Sequence, residues 1–272
     1  MYYMLHYLLS EISNTIDNKT ISTLKYYNFN TDDKITTNLI LIQKPSIVLM
    51  INIMYLLFVL ASKYIRPKFK RIPRNERYVI KYLMSFYNII LILISYKILI
   101  GIIYETYFKN QYSLWGNEYN AYETNLAYLI YMFYISKYYE YFDTVIMVMN
   151  GNMEQVTVLH VYHHSSISCI WWLITYSEPG GDVYFSAMIN CFIHMCMYCY
   201  YLLSSIIPKE SNQLCGKYLT QMQISQFVLN IVQSLYCLRK NNFASISLVY
   251  MVSLICLFGN FYYKKHNKIK YE

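Results

Sequence analysis

Along the 272 residues, long apolar stretches poor in charge alternate with short polar breaks. Seven stretches stand out, at about 46–62, 83–104, 126–149, 156–176, 183–207, 219–238 and 243–263. Most are close to the ~20 residues that a helix needs to cross a bilayer. Lipid admits only helices or closed barrels, and nothing alternates with period two in blocks of about ten residues. The pattern therefore predicts an all-α, polytopic membrane protein with seven transmembrane helices. Buried helices of a soluble protein fit poorly, because seven helices with so little charge would leave almost none to face water. Three segments follow: a polar tail over 1–45, a membrane domain over 46–263 and a basic tail over 264–272.

Composition sharpens this picture through charge rather than through hydrophobicity. The 56% hydrophobic content includes 34 tyrosines, but charged residues make up only 14%, against about 25% in ordinary soluble domains. With only 7 Gly and 5 Pro, a disordered or collagen-like chain is excluded. The first break carries Lys63, Arg66, Lys68, Lys70, Arg71, Arg74, Arg77 and Lys81. Seven spans put this loop on the same side as the C-terminus, and that side holds 14 of the loop basic residues against 7 on the other. The positive-inside rule makes that side cytosolic and the N-terminus lumenal, although Arg239 and Lys240 point the other way. The net charge of +8 is then a loop bias that suits anionic lipid headgroups rather than nucleic acid.

The tails add topological markers. The apolar run Met1–Leu9 is short and has no clear small-residue cleavage site, so it reads poorly as a signal peptide. Asn18-Lys19-Thr20 is a glycosylation sequon, usable only if the tail is lumenal. Lys268 and Lys270 resemble a dilysine signal for return to the endoplasmic reticulum. Seven cysteines give an odd count, and Cys196 and Cys199 have redox spacing but lie deep in the fifth stretch, where packing explains them better.

Ionisable residues inside spans cost about 2.5–3.5 kcal/mol each at the bilayer centre, so they point to function or pairing. The third span holds Lys137, Glu140 and Asp143, followed by Thr144. Lys137 can pair with Glu140 at i+3, which also fits a structural ion pair. The fourth span opens with His160, His163 and His164, which share a helix face of ~100°. Such a cluster suits proton transfer, nucleophilic catalysis or metal binding. In the fifth span Asn190, His194, Met197, Tyr198 and Tyr201 share a face; in the sixth, Thr220, Gln223, Gln226 and Asn230 do. The last set also reads as interhelical hydrogen-bond glue. The topology brings all four polar stripes toward the cytosolic half of one bundle.

H-x-x-H-H also occurs in membrane desaturases and hydroxylases, whose di-iron sites use about eight histidines. This chain has six, and His6 and His266 lie in the tails, so that set cannot be completed and no metal is expected. The motifs instead resemble those of the ELO-type fatty-acid elongases, which are membrane 3-ketoacyl-CoA synthases. Four signatures stand in order: K-x-x-E-x-x-D-T at Lys137–Thr144, H-x-x-H-H at His160–His164, N-x-x-x-H-x-x-M-Y-x-Y-Y at Asn190–Tyr201 and T-x-x-Q-x-x-Q at Thr220–Gln226. The likeness runs from about 45 to 265.

The resemblance implies a multi-pass endoplasmic-reticulum acyltransferase without a cofactor. It would condense a long acyl-CoA with malonyl-CoA and release carbon dioxide and CoA. It implies His163 as acyl acceptor, with His160, His164 and His194 orienting it, moving protons and stabilising an enolate. Lys137, Asn190, Gln223 and Gln226 would contact thioester oxygens or CoA, with Glu140 and Asp143 setting their charge state. Tyr198, Tyr201 and Thr220 would support the site. Other enzymes of the elongation cycle and a second copy of the chain are the expected protein partners. The H-V-Y-H-H form leans toward polyunsaturated or very long acyl chains. One departure is the loop Met149–Glu154, which carries no Lys or Arg although relatives usually place basic residues there. CoA phosphates would then need Lys209, Lys217 or the first loop. A di-iron desaturase and a lipid carrier without catalysis are the alternatives. Metal content separates the first from an elongase, and release of labelled carbon dioxide separates the second.

Overall fold

The computed structural model of the protein describes residues 2–27, 39–65, 78–204, 208–238 and 242–267. Among them there is no strand, and nine helices longer than two turns carry the fold. They are α1 (Tyr2–Tyr26), α2 (Pro45–Ile65), α3 (Tyr78–Ile103), α4 (Thr124–Tyr139), α5 (Tyr141–Met149), α6 (Val158–Ser177), α7 (Val183–Leu203), α8 (Lys209–Cys237) and α9 (Asn242–Asn267). Most of the basic first loop, Arg239, Lys240, Lys268 and Lys270 lie outside the described residues.

By length and composition, four segments are able to cross a membrane: Pro45–Ile65, Tyr78–Lys109, Val183–Leu203 and Phe243–Lys264. They coincide with the first, second, fifth and seventh apolar stretches. The other three stretches are helical too, but they are α4 with α5, α6 and α8, the helices that carry the acidic, histidine and glutamine motifs. Polar side chains turned inward dilute their hydropathy, so composition ranks them below their neighbours. The third stretch is also broken. α4 ends and α5 begins at Glu140, whose backbone stays right-handed helical (φ −64, ψ −16) and caps Ser136 O.

Packing closes six of these units into a ring. Going round, α3 packs on α7, α7 on α8, α8 on α9, α9 on α6, α6 on α4 and α4 on α3. α2 lies outside the ring against α6 and α5, and α1 packs on α2. From α5 onward each helix follows its predecessor after a short connection, so successive helices reverse direction. The end of α5, the starts of α6 and α8 and the ends of α7 and α9 therefore share one end of the bundle.

Asp182 organises the opposite end. Its carboxylate accepts hydrogen bonds from the backbone N–H groups of Gly116 and Asn117, each at 2.8 Å, from Asn117 Nδ2 at 2.9 Å and from the Cys237 thiol at 2.9 Å. Gln233 Nε2 donates to its backbone carbonyl at 2.6 Å. One buried acid thus ties the loop after α3 to the start of α7 and the end of α8. Gly181 makes the approach possible. Its φ is +54, and a Cβ there would meet Tyr119 N at 2.8 Å and Asn117 O at 3.0 Å. Upstream, α3 widens into a π turn over Tyr104–Lys109, with Asn110 N bonded to Glu105 O. Glu105 is held there by Lys109 Nζ at 2.9 Å and Asn125 Nδ2 at 3.0 Å, while Tyr112 donates to Glu123.

The segment 1–45, read as a polar tail, contains α1. It docks through Asp17, whose carboxylate accepts from Ser46 N at 2.8 Å and Ser46 Oγ at 3.0 Å. Ser46 is the second residue of α2, so a distant acid satisfies an open N–H and complements the positive end of that helix.

Candidate functional site

The break at Glu140 aims its carboxylate into the ring. Lys137 Nζ donates to Glu140 Oε1 at 2.8 Å and to Asn190 Oδ1 at 2.8 Å, and it lies 4.1 Å from the centre of the Phe133 ring. Lys137 is 1% exposed and Glu140 3%. His194 Nδ1 stands 3.2 Å from the same Glu140 oxygen without the alignment of a hydrogen bond. The i,i+3 pair of α4 thus meets Asn190 and His194 of α7, themselves one helical turn apart. Two helices share one buried polar centre, and Glu140 Oε2 within it has no hydrogen-bond partner.

α6 brings the histidines. Thr157 caps the helix by accepting from His160 N at 3.2 Å, which fixes the first turn and the direction of the three rings. The His160 and His164 ring centres are 4.3 Å apart, and those of His163 and His164 5.5 Å. His160 Nε2 hydrogen-bonds Thr144 Oγ1 at 2.8 Å, and Thr144 in turn meets the Tyr55 hydroxyl at 3.0 Å. His163 faces Phe258 of α9 edge-on at 6.3 Å. The Nδ1 atoms of His163 and His164 are buried without a hydrogen-bond partner. Glu140 and His194 are within electrostatic range of both rings. Nitrogens left open beside an ion pair are suited to receive a ligand or a proton.

Of the sequence-derived residues, Lys137, Glu140, Asn190 and His194 form one contact set, and Thr144 with the histidine triplet a second. Asp143 takes a different partner from Glu140: it accepts from the Tyr198 hydroxyl at 2.9 Å, and Tyr201 packs edge-on against Tyr198 at 6.0 Å. The glutamine stripe stands apart. Thr220 bonds back to Gly216 O at 3.0 Å, and Gln223 Nε2 reaches only Met197 Sδ at 3.8 Å. Gln226 is buried. Among the described residues, no group of three His, Cys, Asp or Glu side chains is arranged to hold a metal ion. Cys196 and Cys199 are free thiols. Of the residues offered for CoA phosphates, Lys217 is exposed on α8.

A polar layer behind the histidines went unread in the sequence. Asn52 of α2 accepts from Tyr141 OH at 2.9 Å and Ser168 Oγ at 3.1 Å, and Tyr141 and Ser168 are 2.8 Å apart. Tyr55 stacks on Tyr141 at 4.3 Å, and both rings flank His164. Asn52 is the one amide in the stretch 46–62 besides apolar, Ser and Tyr neighbours, and this was the available signal. The tyrosines were hidden among the 34 of the chain.

Comparison with known proteins covers most of this region. A model of the ELO: GNS1/SUR4 family matches residues 40–272. "Fatty acid elongase 6" of Leishmania major is 42% identical over 168 residues, which are 56% of this chain and 44% of that protein. "Very long chain fatty acid elongase 5" of Xenopus tropicalis is 41% identical over 151 residues, 54% of this chain and 51% of that one. The human protein of the same name is 33% identical over 233 residues, 80% of this chain and 73% of its own length. The chain thus spans about half the length of the first two of these curated relatives.

Proposed function

The chain belongs to the ELO (GNS1/SUR4) family, and from that premise we propose that it is a fatty-acid elongase, a 3-oxoacyl-CoA synthase that lengthens a long acyl-CoA by two carbons at the expense of malonyl-CoA. The observation that carries this reading is the buried meeting of Lys137, Glu140, Asn190 and His194 beside histidines whose Nδ1 atoms are open.

The chemistry divides into two transfers. An imidazole nitrogen of His163 attacks the thioester carbonyl of the acyl-CoA. The C–S bond breaks, and CoA leaves as the thiol after taking up a proton, which gives an acyl-imidazole. Malonyl-CoA then loses carbon dioxide, and the electron pair of that C–C bond becomes an enolate. The enolate carbon attacks the acyl carbonyl, the C–N bond breaks, and His163 is released with a 3-ketoacyl-CoA. In this reading His160, bonded to Thr144, and His164 hold and move the proton. Lys137 and Asn190 donate toward the oxygen on which charge develops. Burial excludes water, which would otherwise hydrolyse the acyl-imidazole.

The same reading places seven spans in the endoplasmic-reticulum membrane, with the histidine end and the C-terminus cytosolic, where acyl-CoA and malonyl-CoA arrive. Lys217, exposed near that end, would meet CoA phosphates in place of the loop Met149–Glu154, which has no Lys or Arg. The other enzymes of the elongation cycle and a second copy of the chain complete the set of partners.

A condensation assay on membranes from cells producing the full chain tests the function. Labelled malonyl-CoA with a panel of saturated and polyunsaturated acyl-CoAs should yield labelled carbon dioxide and a product two carbons longer. Good expression with no extended product from any acyl-CoA refutes it.

A further inference from the structure

α1 lies ahead of residues 40–272, which carry the family likeness, and its surface divides into three sectors. At ~100° per residue, Ser13, Asp17, Ile21 and Leu24 share a sector of about 80°. This sector docks: Asp17 is buried on Ser46, Ser13 Oγ meets Ser46 Oγ at 2.8 Å, and Ile21 and Leu24 pack on the core. Leu8, Leu9, Ile12 and Ile16 share the next sector, about 100° wide. Leu8, Leu9 and Ile12 are 46%, 58% and 56% exposed. Glu11, Asn14, Thr15, Asn18, Ser22 and Lys25 lie in the remaining sector and are exposed, together with Tyr7, whose hydroxyl donates to Glu11 at 2.7 Å. The helix therefore buries a serine and an acid against protein while it leaves its apolar stripe uncovered. That is the reverse of a helix seeking a soluble core.

Two features say what covers the stripe. α1 is moored at the first turn of α2, a helix long and apolar enough to cross a bilayer. Just beyond that point α2 turns Leu49, Met50 and Ile53 outward, so both helices expose apolar side chains close to the mooring point. A helix with an apolar stripe and an opposed polar sector is built to lie in the headgroup boundary. Lys19 and Thr23 continue the same sector one to two turns further on, so the apolar stripe is confined to the first half of α1, and the Lys19 stem can carry its charge up to the headgroup level.

We propose that α1 is an interfacial anchor, lying in the plane of the bilayer surface at the start of α2 with Leu8, Leu9 and Ile12 in the acyl boundary and Asn14 and Asn18 toward water. The lipid surface is its partner, independent of the reaction carried out in the ring.

Spin labels on the full chain in proteoliposomes test this. Single cysteines are placed at Leu9, Ile12, Asn14 and Asn18 in a background with the exposed Cys169, Cys215 and Cys256 changed to Ser. Labels at Leu9 and Ile12 should be accessible to oxygen and shielded from a nickel chelate, and those at Asn14 and Asn18 the reverse. Equal accessibility at all four sites overturns the proposal. So does spin–spin broadening at Leu9 and Ile12, which would mean that a second copy covers the stripe. Leu9→Glu with Ile12→Glu should leave the melting temperature in detergent unchanged, because these side chains touch no protein core. A clear fall would assign the stripe to a protein contact and reject the lipid assignment. Retained melting, with a label at Leu8 of the stripe losing oxygen preference and gaining nickel access, supports the anchor. None of these readouts depends on elongase activity.

Discussion

Lys137 shows what a single buried charge demands. Its ammonium is 1% exposed and satisfied by Glu140, Asn190 and the face of Phe133. Removing one partner of such a pair leaves the other charge stranded, which typically costs about 3–5 kcal/mol. Lys137→Ala should therefore lower the melting temperature strongly. Lys137→Met combined with Glu140→Gln should recover much of the loss, because both charges go together. Thermal unfolding in detergent reads this directly, and equal loss in the single and double variants would contradict the pairing. Half of this centre was legible in advance, since Lys137 and Glu140 sit three apart on one helix. Asn190 and His194 could be recognised as a stripe but not as the partners of that pair, because no local spacing encodes which helices face each other. Asn52, Tyr55 and Tyr141 were missed for a related reason. A tyrosine is informative only when its neighbours are known, and this chain has 34.

At the scale of elements, the apolar stretches located the helices well, and the structure adds where they bend and lock. The third stretch is interrupted at Glu140, which no proline or glycine marks and whose backbone stays helical. The lock at Asp182 was also invisible, because its partners come from Gly116, Asn117 and Cys237, far apart in the chain. Two glycine substitutions separate local fit from general helix preference. Gly181→Ala must place a Cβ against Tyr119 N at 2.8 Å with φ +54, and such strain costs about 1–3 kcal/mol. Gly259→Ala meets nothing within 4 Å inside α9 and should gain up to about 1 kcal/mol from helix propensity. Opposite shifts in melting temperature are expected. A second element-scale outcome concerns α1: Asp17→Ala removes the hydrogen bonds to Ser46 and should make α1 itself more sensitive to limited proteolysis, with the rest of the bundle unchanged.

Six helical units close a ring, with α1 and α2 outside it, and Lys137, Glu140, Asn190 and His194 meet within it beside a buried apolar core that includes Phe133. The span-length helices also turn many apolar side chains outward, so scarcity of charge is a better guide to this fold than total hydrophobicity. Asp182 ties the loop after α3 to α7 and α8 at one end of the bundle, and the histidine triplet of α6 lies toward the other. If the histidine end is cytosolic, a C-terminal epitope should be digested by protease added to sealed microsomes, while protection of the epitope would reverse the orientation. The central claim is that His163 accepts an acyl group inside this ring. Intact mass of the purified protein after incubation with acyl-CoA alone tests it most directly. An increase by one acyl group is expected, mapped to the peptide that contains His163, absent in His163→Ala and discharged by malonyl-CoA. An adduct that persists in His163→Ala, or one that malonyl-CoA leaves untouched, would contradict the account.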